Sequence, residues 1–250
     1  MLQSYGDSRV FGETYGPNGA RVVWLHGWAR RAQDFAIAAN ALAERGISSV
    51  SLDLPGFGAS PVPEVAGGAR HYAELILPTL REIASQPVVL VGHSFGGTVA
   101  VVLASEHPEL VSSLVLVGSP VVRTSSASRS PFAYRAVRWL AKRRLVSEDR
   151  LERARQKYGS TDYKRAQGIM REVLVASVNE SYEAELARLT VPVDFIWGAR
   201  DLDVPFAVAA TAASLVVGPT TLRELPGIGH LVPVESPGEL VDVAEKALRQ

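Results

Sequence analysis

Residues 88–104 read VVLVGHSFGGTVAVVLA, and this stretch decides the fold. It begins with a run of valines and a leucine, which is typical of a strand buried on both faces, and it ends in small apolar residues that suit a buried helix. Between them lies G-x-S-x-G, in which Gly92 and Gly96 permit the tight bend that places Ser94 at its apex. A strand, a sharp turn and a helix predict that Ser94 is a nucleophile. The plainer alternative is a serine that caps a helix after a glycine turn.

The rest of the chain alternates between short apolar runs and helical stretches. The apolar runs predict strands at 22–25, 50–52, 88–91, 114–117, 193–197 and 221–225. The stretches between them predict helices at 34–45, 69–85, 94–107, 205–217 and 237–249. This alternation predicts an α/β fold with a mostly parallel, doubly wound sheet, to which residues near 8–15 add an antiparallel edge.

The alternation stops between residues 121 and 185, where the sequence predicts helices and no strand. We expect this insertion to form a helical cap over the strand ends of a core made of residues 1–120 and 186–250. It carries 14 Lys or Arg residues against 8 Asp or Glu residues. The densest positive patch consists of Arg135, Arg138, Lys142, Arg143 and Arg144. This patch is either a solvated helix face or a surface for an anionic substrate, an acidic carrier protein or a membrane.

Composition narrows the class of protein. The 250 residues are 47% hydrophobic and 21% charged, as in globular proteins, and Lys plus Arg equals Asp plus Glu at 26 each. The balanced charge gives no global field for nucleic acid. No apolar run approaches a transmembrane length, and the N-terminus lacks the pattern of a signal peptide. The absence of cysteine excludes disulfides and a thiol nucleophile. We therefore expect a cytoplasmic protein.

A serine hydroxyl needs a base, and His230 is the best placed of the five histidines. It lies in PGIGH, residues 226–230, a flexible loop after the last predicted strand, from which an imidazole can reach the strand ends. His93 adjoins Ser94 in the turn, so its side chain is expected to point away from the hydroxyl and to pack locally. His26 is expected to brace its own turn. No histidine or carboxylate pair has metal-ligand spacing, so we expect no metal and no cofactor.

The base needs an acid, and the developing oxyanion needs two N–H donors. Asp201 and Asp203 both follow the strand at 193–197, although Asp203 is more simply explained as a cap of the next helix. One donor should be the backbone N–H of Phe95, at the N-terminus of the helix after the nucleophile. The other should be the N–H of Trp28, in the loop after the strand at 22–25.

These motifs resemble the α/β-hydrolase superfamily over nearly the whole chain apart from the cap. The matching segments are HGW at 26–28, DLPGFGAS at 53–60, GHSFGG at 92–97, WGARD at 197–201 and GH at 229–230. They occur in the order serine, acid, histidine that this family uses. The resemblance implies the α/β-hydrolase fold and Asp201 as the acid. A serine nucleophile disfavours epoxide hydrolases and haloalkane dehalogenases, whose nucleophile is an aspartate.

Within the superfamily, the HGW loop, the size and the helical cap resemble carboxylesterases such as the pimeloyl-carrier-protein methyl ester esterases. Those enzymes hold an acidic carrier protein with basic cap residues. The sequence therefore predicts a cofactor-free serine hydrolase that cleaves a carboxylic ester through an acyl-enzyme. A C–C bond hydrolase, thioesterase or lyase with the same triad, or a non-catalytic ligand-binding protein on this fold, are the alternatives. The acyl pocket is expected between the cap and the strand ends, lined by Trp28, Phe95, Pro120, Val121 and Val204.

Overall fold

The computed structural model describes residues 1–6, 9–123 and 161–249. Eight strands form one sheet in the order β1-β2-β4-β3-β5-β6-β7-β8. The strands are β1 Leu2–Tyr5, β2 Val10–Tyr15, β3 Val22–Leu25, β4 Ser49–Asp53, β5 Val88–His93, β6 Val111–Val117, β7 Val193–Gly198 and β8 Thr220–Leu225. β2 runs antiparallel to β1 and β4, and the remaining pairs are parallel. All side chains of β3, β4, β5 and β7 are buried, which explains why β3 and β5 are continuous apolar runs over 22–25 and 88–91. β4, which reads SVSLD, alternates in sequence although its polar side chains are buried as well.

Helices cover both faces of the sheet. In the described part of the chain they are α1 Ala36–Glu44, α2 Ala69–Ile83, α3 Phe95–Glu106, α4 Thr161–Arg165, α5 Gly168–Ser177, α6 Glu183–Leu186, α7 Ala207–Ala213, α8 Val232–Glu235 and α9 Pro237–Ala247. Two apolar clusters result: α1 and α9 pack with Val89 and Val91 on one face, and α2, α3 and α7 pack with Leu90 on the other. The predicted α/β class, with its mostly parallel doubly wound sheet, is therefore confirmed.

The structure adds local details that the sequence did not predict. The antiparallel strand expected near 8–15 is β2, and β1 pairs with it at the edge of the sheet. β1 was not predicted, because Leu2–Tyr5 buries only Tyr5 and so has no apolar pattern. In the inserted segment, α5 begins at Gly168, whose φ is +50°, and ends at Ser177, so that Val178 is 65% exposed. Residues 124–160, most of the predicted cap, lie outside the described residues.

The turn between β5 and α3 is sharp, as its sequence predicts. Ser94 has φ 50° and ψ −116°, a conformation that costs a non-glycine residue roughly 1–3 kcal/mol. The turn also brings α3 against the loop after β3, because a Cβ on Gly96 would lie only 2.2 Å from the carbonyl oxygen of Leu25. Glycine at 96 therefore allows the nucleophile turn and the loop of residues 26–28 to touch.

The helical segment at 161–186 is attached to α2. Glu180 Oε2 accepts a hydrogen bond from the N–H of Ala69 at 2.8 Å, at the N-terminus of α2. The Arg70 guanidinium binds the Glu185 carboxylate at 2.7 Å and stacks over the Tyr182 ring at 5.3 Å. These contacts fix the segment beside the helix that follows β4. Among the described helices, none is long and apolar enough to cross a membrane.

Candidate active site

Three side chains from distant parts of the sequence meet at the carboxyl ends of the central strands. His230 Nε2 lies 3.1 Å from Ser94 Oγ, and His230 Nδ1 lies 2.7 Å from Asp201 Oδ2. A carboxylate can only accept a hydrogen bond, so Nδ1 carries the proton and Nε2 presents its lone pair to the serine. Ser94 and His230 are partly exposed, whereas the Asp201 side chain is fully buried. The arrangement can transfer a proton from the serine hydroxyl to the imidazole.

The two carboxylates after β7 differ in their contacts. Asp201 Oδ1 accepts the N–H groups of Asp203 at 2.9 Å and Val204 at 2.8 Å, which leaves Oδ2 directed at His230. Asp203 is exposed, and its backbone rather than its carboxylate supports this turn. The geometry therefore brings Asp201, and not Asp203, into contact with the imidazole.

The predicted oxyanion donors lie on either side of the serine. The N–H of Phe95 is the first of α3, and a Cβ on Gly27, next to Trp28, would lie 3.2 Å from Ser94 Cβ. Neither the Phe95 N–H nor the Trp28 N–H donates a hydrogen bond to any residue that the structure describes. The first N–H groups of a helix have no partner within it. Both N–H groups are thus available to a negatively charged oxygen.

His26 braces the loop that carries Trp28, as its sequence context predicts. Its Nδ1 donates to the carbonyl of Gly27 at 2.7 Å, and its Nε2 accepts the N–H of Leu54 at 3.0 Å. Burial lowers the pKa of His26, so the imidazole remains neutral and both nitrogens are satisfied. The loop is therefore tied to the end of β4.

Four aromatic side chains surround the serine turn, and the sequence did not single out two of them, Tyr72 and Phe57. The Phe95 ring packs edge-on against Tyr72 at 4.9 Å and against Trp28 at 5.7 Å, and Trp28 in turn contacts Phe57. Met170 of α5 approaches the same group, with its sulfur 4.0 Å from the Tyr72 hydroxyl. These residues lie on three helices and two loops, so no local pattern could have grouped them.

The residues predicted to line an acyl pocket differ in exposure. Pro120 is exposed, whereas Val121 and Val204 are buried in the same apolar cluster as Phe95. Their role as pocket residues stays a prediction. The basic patch of Arg135, Arg138, Lys142, Arg143 and Arg144 lies outside the described residues.

The described surroundings of His230 are acidic. Asp203 places a carboxylate oxygen within 4.8 Å of ligand-type atoms of Asp201 and His230. Asp162 of α4 also interacts with this group, and burial together with the Asp203 charge raises its pKa. The ligand atoms of Asp201, Asp203 and His230 lie close enough together to surround a cation. A cation there would compete with the hydrogen bond between Asp201 and His230. The described residues therefore fit a proton-transfer role better than a metal site.

His93 is fully enclosed beside this pair. Burial, and secondarily the nearby His230, lower its pKa from 6.5 to about 3, while the Asp201 charge opposes that shift. His26 also faces it and acts in the same direction as His230. The imidazole of His93 is therefore neutral at neutral pH.

This burial predicts how stability depends on pH. Below pH 6.5 the unfolded chain protonates His93 and the folded chain does not, so its contribution is complete above pH 6.5 and is lost progressively towards pH 3. As the pH is lowered through that window, the protonation of His93 in the unfolded chain should lower the free energy of unfolding by about 1.4 kcal/mol per pH unit. The free energy of unfolding can be measured by urea titration at several pH values between 6 and 4.5. Its dependence on pH should be weaker by that amount in His93→Phe than in the wild type. Ser214→Ala, which changes an exposed residue that carries no charge, should keep the wild-type slope.

An eight-stranded, mostly parallel sheet with a serine in a strained turn after the fifth strand is the architecture of an α/β-hydrolase fold. Residues 22–243 match the model of the alpha/beta hydrolase family, and the chain belongs to that family. Its relatives include esterases and a lipase, which supports a hydrolase activity.

Individual relatives are distant. The chain is 26% identical over 242 residues to a dihydrolipoyllysine-residue acetyltransferase component of the acetoin cleaving system of Pseudomonas putida, covering 90% of this chain and 62% of that protein. It is 39% identical over 110 residues to a pimeloyl-[acyl-carrier protein] methyl ester esterase of Chromobacterium violaceum, covering 44% of this chain and 41% of the esterase. Less than two thirds of either relative is therefore matched. An esterase structure from Exiguobacterium antarcticum superposes with a TM-score of 0.75 at 21% identity, covering 100% of this chain and 99% of that one.

Proposed function

We propose that the protein is a serine hydrolase that cleaves a carboxylic ester through an acyl-enzyme. The observation that carries this proposal is the imidazole of His230, which bridges Ser94 Oγ at 3.1 Å and the buried Asp201 carboxylate at 2.7 Å. A serine next to a base, with the base oriented by a third group, is the arrangement that activates a hydroxyl for attack on a carbonyl.

In the proposed reaction, His230 Nε2 takes the proton of Ser94 as Oγ attacks the ester carbonyl. The oxyanion accepts hydrogen bonds from the N–H groups of Phe95 and Trp28. The imidazolium, stabilised by Asp201, then gives its proton to the departing alkoxy oxygen, so that an alcohol leaves and an acyl-serine ester remains. His230 next deprotonates a water, which attacks the acyl carbon and releases the carboxylic acid and the free serine.

The test is labelling with a fluorophosphonate followed by intact-mass measurement. We expect one covalent adduct on the wild type, because an activated serine attacks phosphorus and the fluoride leaves. Ser94→Ala should show no adduct, and Ser214→Ala, at an exposed serine of no assigned role, should label like the wild type. A wild type that stays unlabelled, or an adduct that persists in Ser94→Ala, contradicts the assignment of the nucleophile.

The acyl group is addressed by a panel of matched oxygen esters and thioesters that differ in chain length and charge. Asp162 and Asp203 beside His230 favour uncharged acyl groups close to the serine. The basic residues between 135 and 144 would instead favour an acidic carrier protein as a partner. Charge reversal at Arg138 and Arg143 should lower kcat/KM for carrier-linked esters and leave small neutral esters unaffected. If carrier-linked esters have no advantage, the carrier proposal is wrong while the esterase proposal stands.

A further inference from the structure

His93 makes a direct contact with the loop that carries the proposed base. Its Nε2 lies 2.9 Å from the backbone carbonyl oxygen of His230, and the two rings are 4.9 Å apart between centroids. The carbonyl only accepts, so Nε2 carries the proton of the neutral His93. Because His93 directly precedes Ser94, this hydrogen bond connects the nucleophile turn to the base over 137 positions of sequence.

A second group holds the same loop from the other side. The Glu235 carboxylate accepts the N–H of Gly229 at 2.8 Å and the N–H of Leu231 at 3.0 Å, the residues immediately before and after His230. The loop needs such support, because Gly227 has φ 79° and two glycines lie within the three residues before His230. The backbone around His230 is thus held at two N–H groups and one carbonyl.

We propose that His93 and Glu235 are positioning residues that fix the His230 backbone so that its imidazole spans Ser94 and Asp201. This inference rests on the proposed function. Proton transfer requires heavy atoms at hydrogen-bond distance, and a displacement of about 1 Å in a reacting group can cost about 100-fold in rate. Histidine suits the position because a neutral donor adds no positive charge beside the imidazolium that forms on His230.

The kinetic test separates the hydrogen bond from simple packing. His93→Phe keeps a ring of similar size but has no N–H, and we expect kcat for a p-nitrophenyl ester to fall by roughly 10- to 100-fold with KM changed less than about threefold. His93→Gln retains a side-chain N–H and should recover most of the lost kcat. His107→Phe, which makes the same substitution away from the site, should leave kcat unchanged. Glu235→Ala, at an exposed position that tolerates truncation, should lower kcat in the same way.

A spectroscopic test does not depend on turnover. The His230 Nδ1 proton, held by Asp201, should give a far-downfield proton NMR resonance that is absent from His230→Ala. We expect that resonance to shift or broaden in His93→Phe and in Glu235→Ala, with circular dichroism unchanged. A wild type that is active while both variants keep wild-type kcat and an unmoved resonance overturns the positioning role. A wild type without esterase activity whose resonance still responds to both variants supports the positioning role and contradicts the proposed function instead.

Discussion

Ser94→Ala should lower kcat for ester hydrolysis by roughly 10⁴- to 10⁶-fold, the range expected when the nucleophile of a serine triad is removed. Alanine keeps the Cβ of serine, so the strained turn at φ 50° and the space that this carbon occupies beside Gly27 are unchanged. Only the hydroxyl that bonds His230 Nε2 is lost. The effect should therefore appear in kcat rather than in the fold.

The measurement is the initial rate of p-nitrophenyl ester hydrolysis, with circular dichroism and thermal melting as checks of folding. The residual rate should exceed that of uncatalysed hydrolysis, because in the proposed mechanism the Phe95 and Trp28 N–H groups still stabilise the oxyanion that forms on the ester carbonyl when water attacks it. Ser214→Ala supplies the matched control and should retain the wild-type rate. A Ser94→Ala protein that keeps a tenth or more of the wild-type kcat would require another nucleophile.

The parts of the fold that depend on local sequence could be predicted. Buried strands such as Val88–His93 and Val193–Gly198 can be predicted from their mostly apolar sequences. The turn at Ser94 can be predicted from the glycines two residues away on each side. β1 could not be predicted, because LQSY is mostly exposed and is a strand only through its pairing with β2. Its backbone hydrogen bonds, rather than burial of its side chains, place it in the sheet.

Part of the candidate site could likewise be predicted from the sequence, and part could not. The positions of Ser94, Asp201 and His230 after β5, β7 and β8 follow from the order of elements, since parallel strands bring their carboxyl ends to one edge of the sheet. The contacts of His93 and Glu235 with the His230 loop could not be predicted, because they depend on the conformation of residues 226–231. Sequence spacing gives no information on which way a loop of that kind folds.

A turn, and not either side chain alone, determines which of the two carboxylates contacts His230. Asp201 and Asp203 are two residues apart and chemically equal in the sequence. The N–H groups of Asp203 and Val204 occupy one oxygen of Asp201 and aim the other at His230. Such a turn is common after Asp, but the position of its partner histidine comes only from the tertiary structure.

Asp201→Asn should lower kcat by about 10⁴-fold, the size seen when the acid of a serine triad becomes an amide. In the variant, the two backbone N–H groups that bond Oδ1 would keep the amide oxygen at that position. The amide nitrogen would then face His230 Nδ1 and donate to it. Nδ1 would become the acceptor, the imidazole proton would move to Nε2, and Ser94 would face an N–H instead of a lone pair.

Asp203→Asn is the matched control, because it makes the same change two residues away. The backbone N–H of residue 203 still bonds Asp201, and the lost charge is exposed and screened by solvent, so we expect kcat to change by no more than a few-fold. The measurement is kcat across the pH range for both variants, with proton NMR of the imidazole to report the tautomer. Because the amide changes the position of a proton rather than the packing, Asp201→Asn should remain folded and should keep the wild-type KM. If Asp203→Asn loses activity and Asp201→Asn retains it, the catalytic acid is Asp203 and the contact of Asp201 with His230 serves only to hold the loop.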